Sequence, residues 1–219
     1  MRLRRDRAVD FLDSYASLLV LLLANFFLLE LIDDDRWGSI GSTVLAGAAL
    51  VVAISDRQTG HRVTRTNVAA IVVAVALSCV LLFTSSERLV GLTFLLPAAL
   101  LVTATLPVTL SRVLHHRRVS FETILGAVCI FVLAALLFAF VFLAVDALSS
   151  KPFFTQEGPH RQSAFVYFSF VAITTLGFGD LSPSSGLPQA LTVLEALLGQ
   201  VFLVTLVARL VTLWVREPR

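Results

Sequence analysis

Charge is scarce in this chain. Asp, Glu, Lys and Arg make up 15% of its 219 residues, against 57% apolar. An average soluble domain carries about 25% charged residues, so a soluble fold is excluded. Cysteine is scarcer still. Cys79 and Cys129 are the only two, and both fall in apolar stretches, where cysteine behaves as a small packing residue. Neither a disulfide framework nor a thiolate metal site is indicated. No cluster of polar residues has catalytic spacing, which argues against an enzyme, and neither a cofactor nor a nucleic-acid partner is expected. One further absence is local: between Arg88 and Arg112 there is no Lys or Arg.

The charges that do occur are grouped, leaving long uncharged runs. A membrane-crossing helix needs roughly 20 mainly apolar residues. Such runs extend over Ser14–Ile32, Trp37–Ser55, Thr66–Ser86, Leu89–Ser111 and Thr123–Val145, with a last one from about Pro188 to Val215, broken by Glu195 and Arg209. Six spans absorb nearly the whole chain and leave nothing for a soluble domain. The first span follows Arg2, Arg4, Arg5 and Arg7 but leads into Glu30-Leu31-Ile32-Asp33-Asp34-Asp35 without a small-residue cleavage site. It reads as a retained helix, not a signal peptide.

Short loops rich in Lys and Arg stay on the cytoplasmic side of a membrane. With a cytoplasmic N-terminus, the basic groups Arg2–Arg7, Arg57/Arg62/Arg65, Arg112/Arg117/Arg118 and Arg216/Arg219 all fall inside. The residues 146–188 then lie outside. The expected location is the cell membrane, multi-pass, with both termini cytoplasmic and membrane lipids as neighbours.

Within 146–188 the chain runs through turn residues (Ser149, Ser150, Lys151, Pro152, Gly158-Pro159) into a stretch without Gly or Pro from Arg161 to about Ile173. That stretch is too short to cross a bilayer and suits a half-helix that re-enters from outside. Irregular backbone at membrane depth is tolerated only when buried in protein or lining a water-filled path. Next comes Thr174-Thr175-Leu176-Gly177-Phe178-Gly179-Asp180. Backbone carbonyls on such a loop can replace the hydration shell of K⁺ when four chains present them around one axis. Pointing successive carbonyls one way requires alternating ordinary and left-handed backbone, which glycine reaches without a Cβ penalty. Gly177 and Gly179 meet that need, and the negative end of the half-helix dipole favours a cation beside it.

This segment resembles the potassium channel signature T-V-G-Y-G-D, with Leu176 for Val and Phe178 for Tyr. From about Phe121 to Val215 the chain is similar to the pore module of the bacterial potassium channel family: outer helix, pore helix, filter, inner helix. The resemblance implies that the carbonyls of Thr175, Leu176, Gly177 and Phe178 ligate K⁺ as the permeant ion. Thr175 adds its hydroxyl at the inner end, Gly179 closes the filter, Thr174 ends the pore helix and Asp180 stands at the outer mouth. The buried glutamate that some members pair with that aspartate is Val171 here, so Tyr167 is expected to reach Asp180 instead. Gly199 matches the family's inner-helix hinge, while close helix packing is the alternative for a small residue there. Glu195, one turn earlier, is costly inside a membrane; it either hydrogen-bonds behind the filter or titrates. Gln200 is expected to face the cavity. Arg209 reads as a snorkelling residue.

Six-helix potassium channels often begin with a voltage sensor whose fourth helix carries regularly spaced arginines. The fourth span here has none, so steep voltage dependence has no evident source. His115 and His116 lie in the basic linker before the fifth span, where they suit contact with anionic headgroups or a response to cytoplasmic pH. Few residues follow Trp214, so no nucleotide- or calcium-binding module is expected there, and regulation would come through the membrane domain, lipids or a separate protein.

The expectation is an all-α integral membrane protein with six transmembrane helices, a re-entrant pore helix and a selectivity-filter loop in a tetrameric pore. Residues 1–118 would form a four-helix domain without gating arginines and 119–219 the pore domain. The functional unit would be a homotetrameric, potassium-selective, passively conducting channel. The competing readings are the pore subunit of a potassium uptake transporter and a membrane protein with no transport role.

Overall fold

The computed structural model describes residues 2–31, 35–54, 73, 76, 95, 98, 121–184 and 186–215. Five helices are described: α1 (Arg2–Leu31), α2 (Asp35–Ile54), α3 (Phe121–Leu148), α4 (Gln162–Ile173) and α5 (Leu187–Val215). Apart from residues 73, 76, 95 and 98, the third and fourth predicted spans lie outside the described residues, as do the linker with His115 and His116 and Cys79.

The helix limits follow the sequence closely. No Gly or Pro interrupts the first 31 residues, so α1 continues back through the basic segment to Arg2, well before the apolar run begins. α3 stops at Leu148, ahead of Ser149-Ser150-Lys151-Pro152. α5 starts just after Gly186, whose φ is +80°. Pro188 occupies its first turn, where the missing N–H costs no helical bond.

Among the described residues, two helices are long and apolar enough to cross a membrane, over Ile124–Leu148 and Leu187–Ala208. Shorter apolar helices cover Ala16–Leu31, Ile40–Ala49 and Gln162–Ile173. α3 packs against α1, α4 and α5, and α1 against α2. α1 also packs directly on α4, with the Phe26 and Phe170 rings edge to face at 4.9 Å. Phe131 of α3 stacks on Phe202 of α5 at 5.8 Å.

The turn-rich loop between α3 and α4 is not merely a polar surface turn. Phe153 and Phe154 are fully buried. With Phe142, Phe165 and Phe168 they form an aromatic cluster whose ring centroids lie 4.7 to 6.0 Å apart. Burying each ring contributes about 1.5–3 kcal/mol. The loop is fastened at its start, where Phe153 N donates to Asp146 Oδ1 at 2.7 Å. It is fastened again to the chain ahead of α5: Thr155 N donates to Ser182 O at 2.9 Å and Ser184 N to Phe153 O at 2.7 Å. Phe154 and Pro183 form an isolated antiparallel bridge there.

Candidate functional site

α4 ends for a local reason. Thr174 caps it with φ −82° and ψ −4°, and its hydroxyl donates to Phe170 O at 2.5 Å. The carbonyls that a helix end leaves unpaired are partly met by the chain that follows: Thr175 N donates to Ala172 O and Leu176 N to Val171 O, each at 3.0 Å. Val171 itself is buried.

The backbone then changes hand at every second residue. Thr175, Gly177 and Gly179 have φ of +59°, +56° and +79°, while Leu176 and Phe178 between them do not enter the positive region. A Cβ built on Gly177 or Gly179 would meet nothing within 4 Å, so the glycines are required by conformation and not by crowding. Thr175 pays the left-handed penalty of roughly 1–2 kcal/mol that a β-carbon brings. The side chains of Leu176 and Phe178 are exposed in the single chain.

Beyond the loop, Asp180 is joined to α4. The Tyr167 hydroxyl donates to its carboxylate, and this bond holds the Tyr167 phenol above its ordinary value, with burial and the carboxylate charge acting the same way. A cleft of about 490 Å³ opens beside the pair, and Glu30 of α1, His160 and Arg161 help to line it.

Behind the loop, Glu195 of α5 is completely buried. Its Oε1 lies 2.5 Å from Ser169 Oγ of α4, which also donates to Ala135 O of α3 at 2.7 Å. Gly199, one turn further along α5, sits against the end of α4: a Cβ there would stand 2.3 Å from Ile173 O and 2.7 Å from Ile173 Cγ1. Gln200, next to it, is exposed in the single chain. Cys129 of α3 is buried.

The loop, Tyr167 and Asp180 are thus one cluster, and Glu195 with Gly199 lies on the face of α5 turned to α4. Sequence reasoning did not reach Ser169, a lone polar residue in the middle of an apolar helix, which was its only signal. It did not reach the Ala135 carbonyl either, since a backbone acceptor has no sequence mark. It also passed over the left-handed backbone of Thr175.

Residues 127–216 match a protein family described as ion channel. No curated protein and no solved structure matches the chain. The matched segment runs from within α3 through α4 and the loop to the end of α5. This part of the chain is thus similar to an ion channel family, which is not a family of enzymes, and it includes both helices that are able to cross a membrane among the described residues.

Proposed function

We propose that the protein is the subunit of a potassium-selective channel that conducts K⁺ passively through a homotetrameric pore. The observation that carries this reading is the alternation of left-handed backbone at 175, 177 and 179, set directly after the C-terminal end of a twelve-residue helix. Such a backbone turns successive carbonyls to one side, as a cage that replaces a hydration shell requires. The carbonyls of Thr175, Leu176, Gly177 and Phe178 are the ligands, with the Thr175 hydroxyl at the cavity end. Ions step between neighbouring sites under mutual repulsion.

One loop supplies a quarter of a cage, so four copies are needed. The bareness of α5 supports assembly. Only 11% of its apolar window is buried within the chain, against 61% for α3, and Leu194, Leu197, Leu198, Val201 and Val204 are all exposed. Copies of the chain and lipid tails would cover that face. In this reading the chain lies in the cell membrane with six spans and both termini cytoplasmic. Its gating is not steeply voltage-dependent, and lipids or a separate regulatory protein modulate it.

The test is the reversal potential of purified protein in planar bilayers under opposed K⁺ and Na⁺ gradients. The expected value lies close to the K⁺ equilibrium potential. A reversal potential indifferent to which cation is in excess would refute the selectivity, and a steep voltage response would refute the gating reading.

A further inference from the structure

Where α3, α4 and α5 meet, three oxygens stand in a row. Ser169 Oγ is 2.7 Å from Ala135 O and 2.5 Å from Glu195 Oε1. All three residues have no exposed surface. An O–H···O bond spans about 2.5–3.0 Å, and each separation this short requires a hydrogen between its oxygens. A serine hydroxyl has one proton and a peptide carbonyl has none. If Ser169 gave its proton to Glu195, nothing would lie between Ser169 and Ala135, and two sets of lone pairs would face each other. The serine proton therefore goes to Ala135, and the second proton has to come from the carboxyl group.

The surroundings agree with this count. Glu195 Oε2 has no hydrogen-bond partner. An ionised carboxylate asks for several donors or a cation, whereas the carbonyl oxygen of a neutral acid is far cheaper to leave unpaired in an apolar place. On α5 itself the one basic residue is Arg209, about 21 Å along the axis at 1.5 Å per residue.

We propose that Glu195 is a positioning residue of the pore: as a neutral carboxylic acid it donates to Ser169, which donates to the Ala135 carbonyl, and this relay fixes α4 between α3 and α5. Ser169 lies five residues before Thr174, where α4 hands over to the loop, so the relay sets the place from which the loop hangs. Gly199 extends the same contact by one turn, against Ile173. The consequence for conduction rests on the channel reading above; the proton on Glu195 does not.

Two measurements on the full chain separate the two. Infrared spectra at neutral pH should show the carbonyl stretch of a protonated carboxylic acid that E195Q removes. In planar bilayers E195A and S169A should lower open probability about tenfold, in keeping with loss of a buried hydrogen bond. E195Q, whose amide nitrogen can make the same donation, should restore it. Absence of the acid band would overturn the proposal, as would an E195Q channel as impaired as E195A. Where E195A or S169A does not assemble, E195D serves: one methylene shorter, it should lose the relay, and an E195D protein with full open probability would count against it. Acid band present in a protein that passes no K⁺ would leave the proton assignment standing and remove the channel reading.

Discussion

Replacing Gly199 by alanine separates two roles for this residue that predict opposite signs. In an unhindered helix Gly→Ala is stabilising by about 1 kcal/mol, because alanine loses less backbone freedom on folding. If Gly199 serves only as a flexible point in α5, G199A should raise stability and slow bending. The geometry points the other way. The new Cβ would stand 2.3 Å from Ile173 O and 3.1 Å from Ile173 C, inside the 3.0 Å limit that real Cβ atoms observe in the first case. Both are backbone atoms that cannot rotate aside. α5 must therefore back away from α4 by about 0.7–1 Å, and a rigid shift of that size carries the Glu195–Ser169 contact from 2.5 Å to about 3.2–3.5 Å, the edge of a hydrogen bond. Overpacking costs roughly 1–3 kcal/mol and the weakened buried bond about 1 kcal/mol more. After subtracting the helix gain, the net is a loss of about 1–3 kcal/mol per chain. Thermal unfolding of the detergent-solubilised protein reads this directly, with the acid band of Glu195 as a local probe of the relay. A G199A protein that melts higher than the parent with that band unchanged would refute the packing role and leave the hinge.

Three other outcomes follow from the structure. G177A and G179A each place a Cβ in left-handed backbone at a cost of roughly 1–2 kcal/mol; repeated in four chains, this should abolish K⁺ over Na⁺ preference in reversal-potential measurements, and an unchanged preference would contradict the filter. Tyr167 ionises above its ordinary value because of Asp180. Its bond therefore contributes fully below the ordinary tyrosine range near pH 10 and is lost as pH rises through the raised value; ultraviolet titration should show a tyrosine step above that range, missing in Y167F. F153A opens the aromatic cluster and should cost about 3–5 kcal/mol, seen as a lower unfolding midpoint with the K⁺ reversal potential kept in whatever folds.

What could be read from the sequence was whatever leaves a mark on local composition. The ends of α4 were visible because Gly158-Pro159 precede it and the glycines follow it, and its length alone set it apart from the spanning helices. Phe153 and Phe154 were hidden by their company: among Ser, Lys, Pro and Gly they read as part of a polar turn, and only the gap left by Phe142, Phe165 and Phe168 draws them in. Thr175 was hidden by its type. A β-branched residue argues for extended backbone, and its left-handed φ makes sense only in step with Gly177 and Gly179. Glu195 stood out as an acid in an apolar helix, but its partner Ser169 is separated from it by 26 residues, and no local pattern links them.

The pairing of the 152–156 loop with residues 182–184 has a mechanical consequence. The stretch that changes hand at alternate residues is moored at one end by α4 and at the other by the bridge at Pro183. Ser182 N is tied to Gln156 Oε1 at 3.1 Å and Ser184 Oγ to Pro152 O at 2.9 Å. A strand held between two fixed piers cannot lengthen, slide or swing out as a whole. What remains open to it is rotation of single peptide planes about an unchanged end-to-end distance. A closed form of this loop would thus differ from the open one by turned carbonyls, with its moorings where they were.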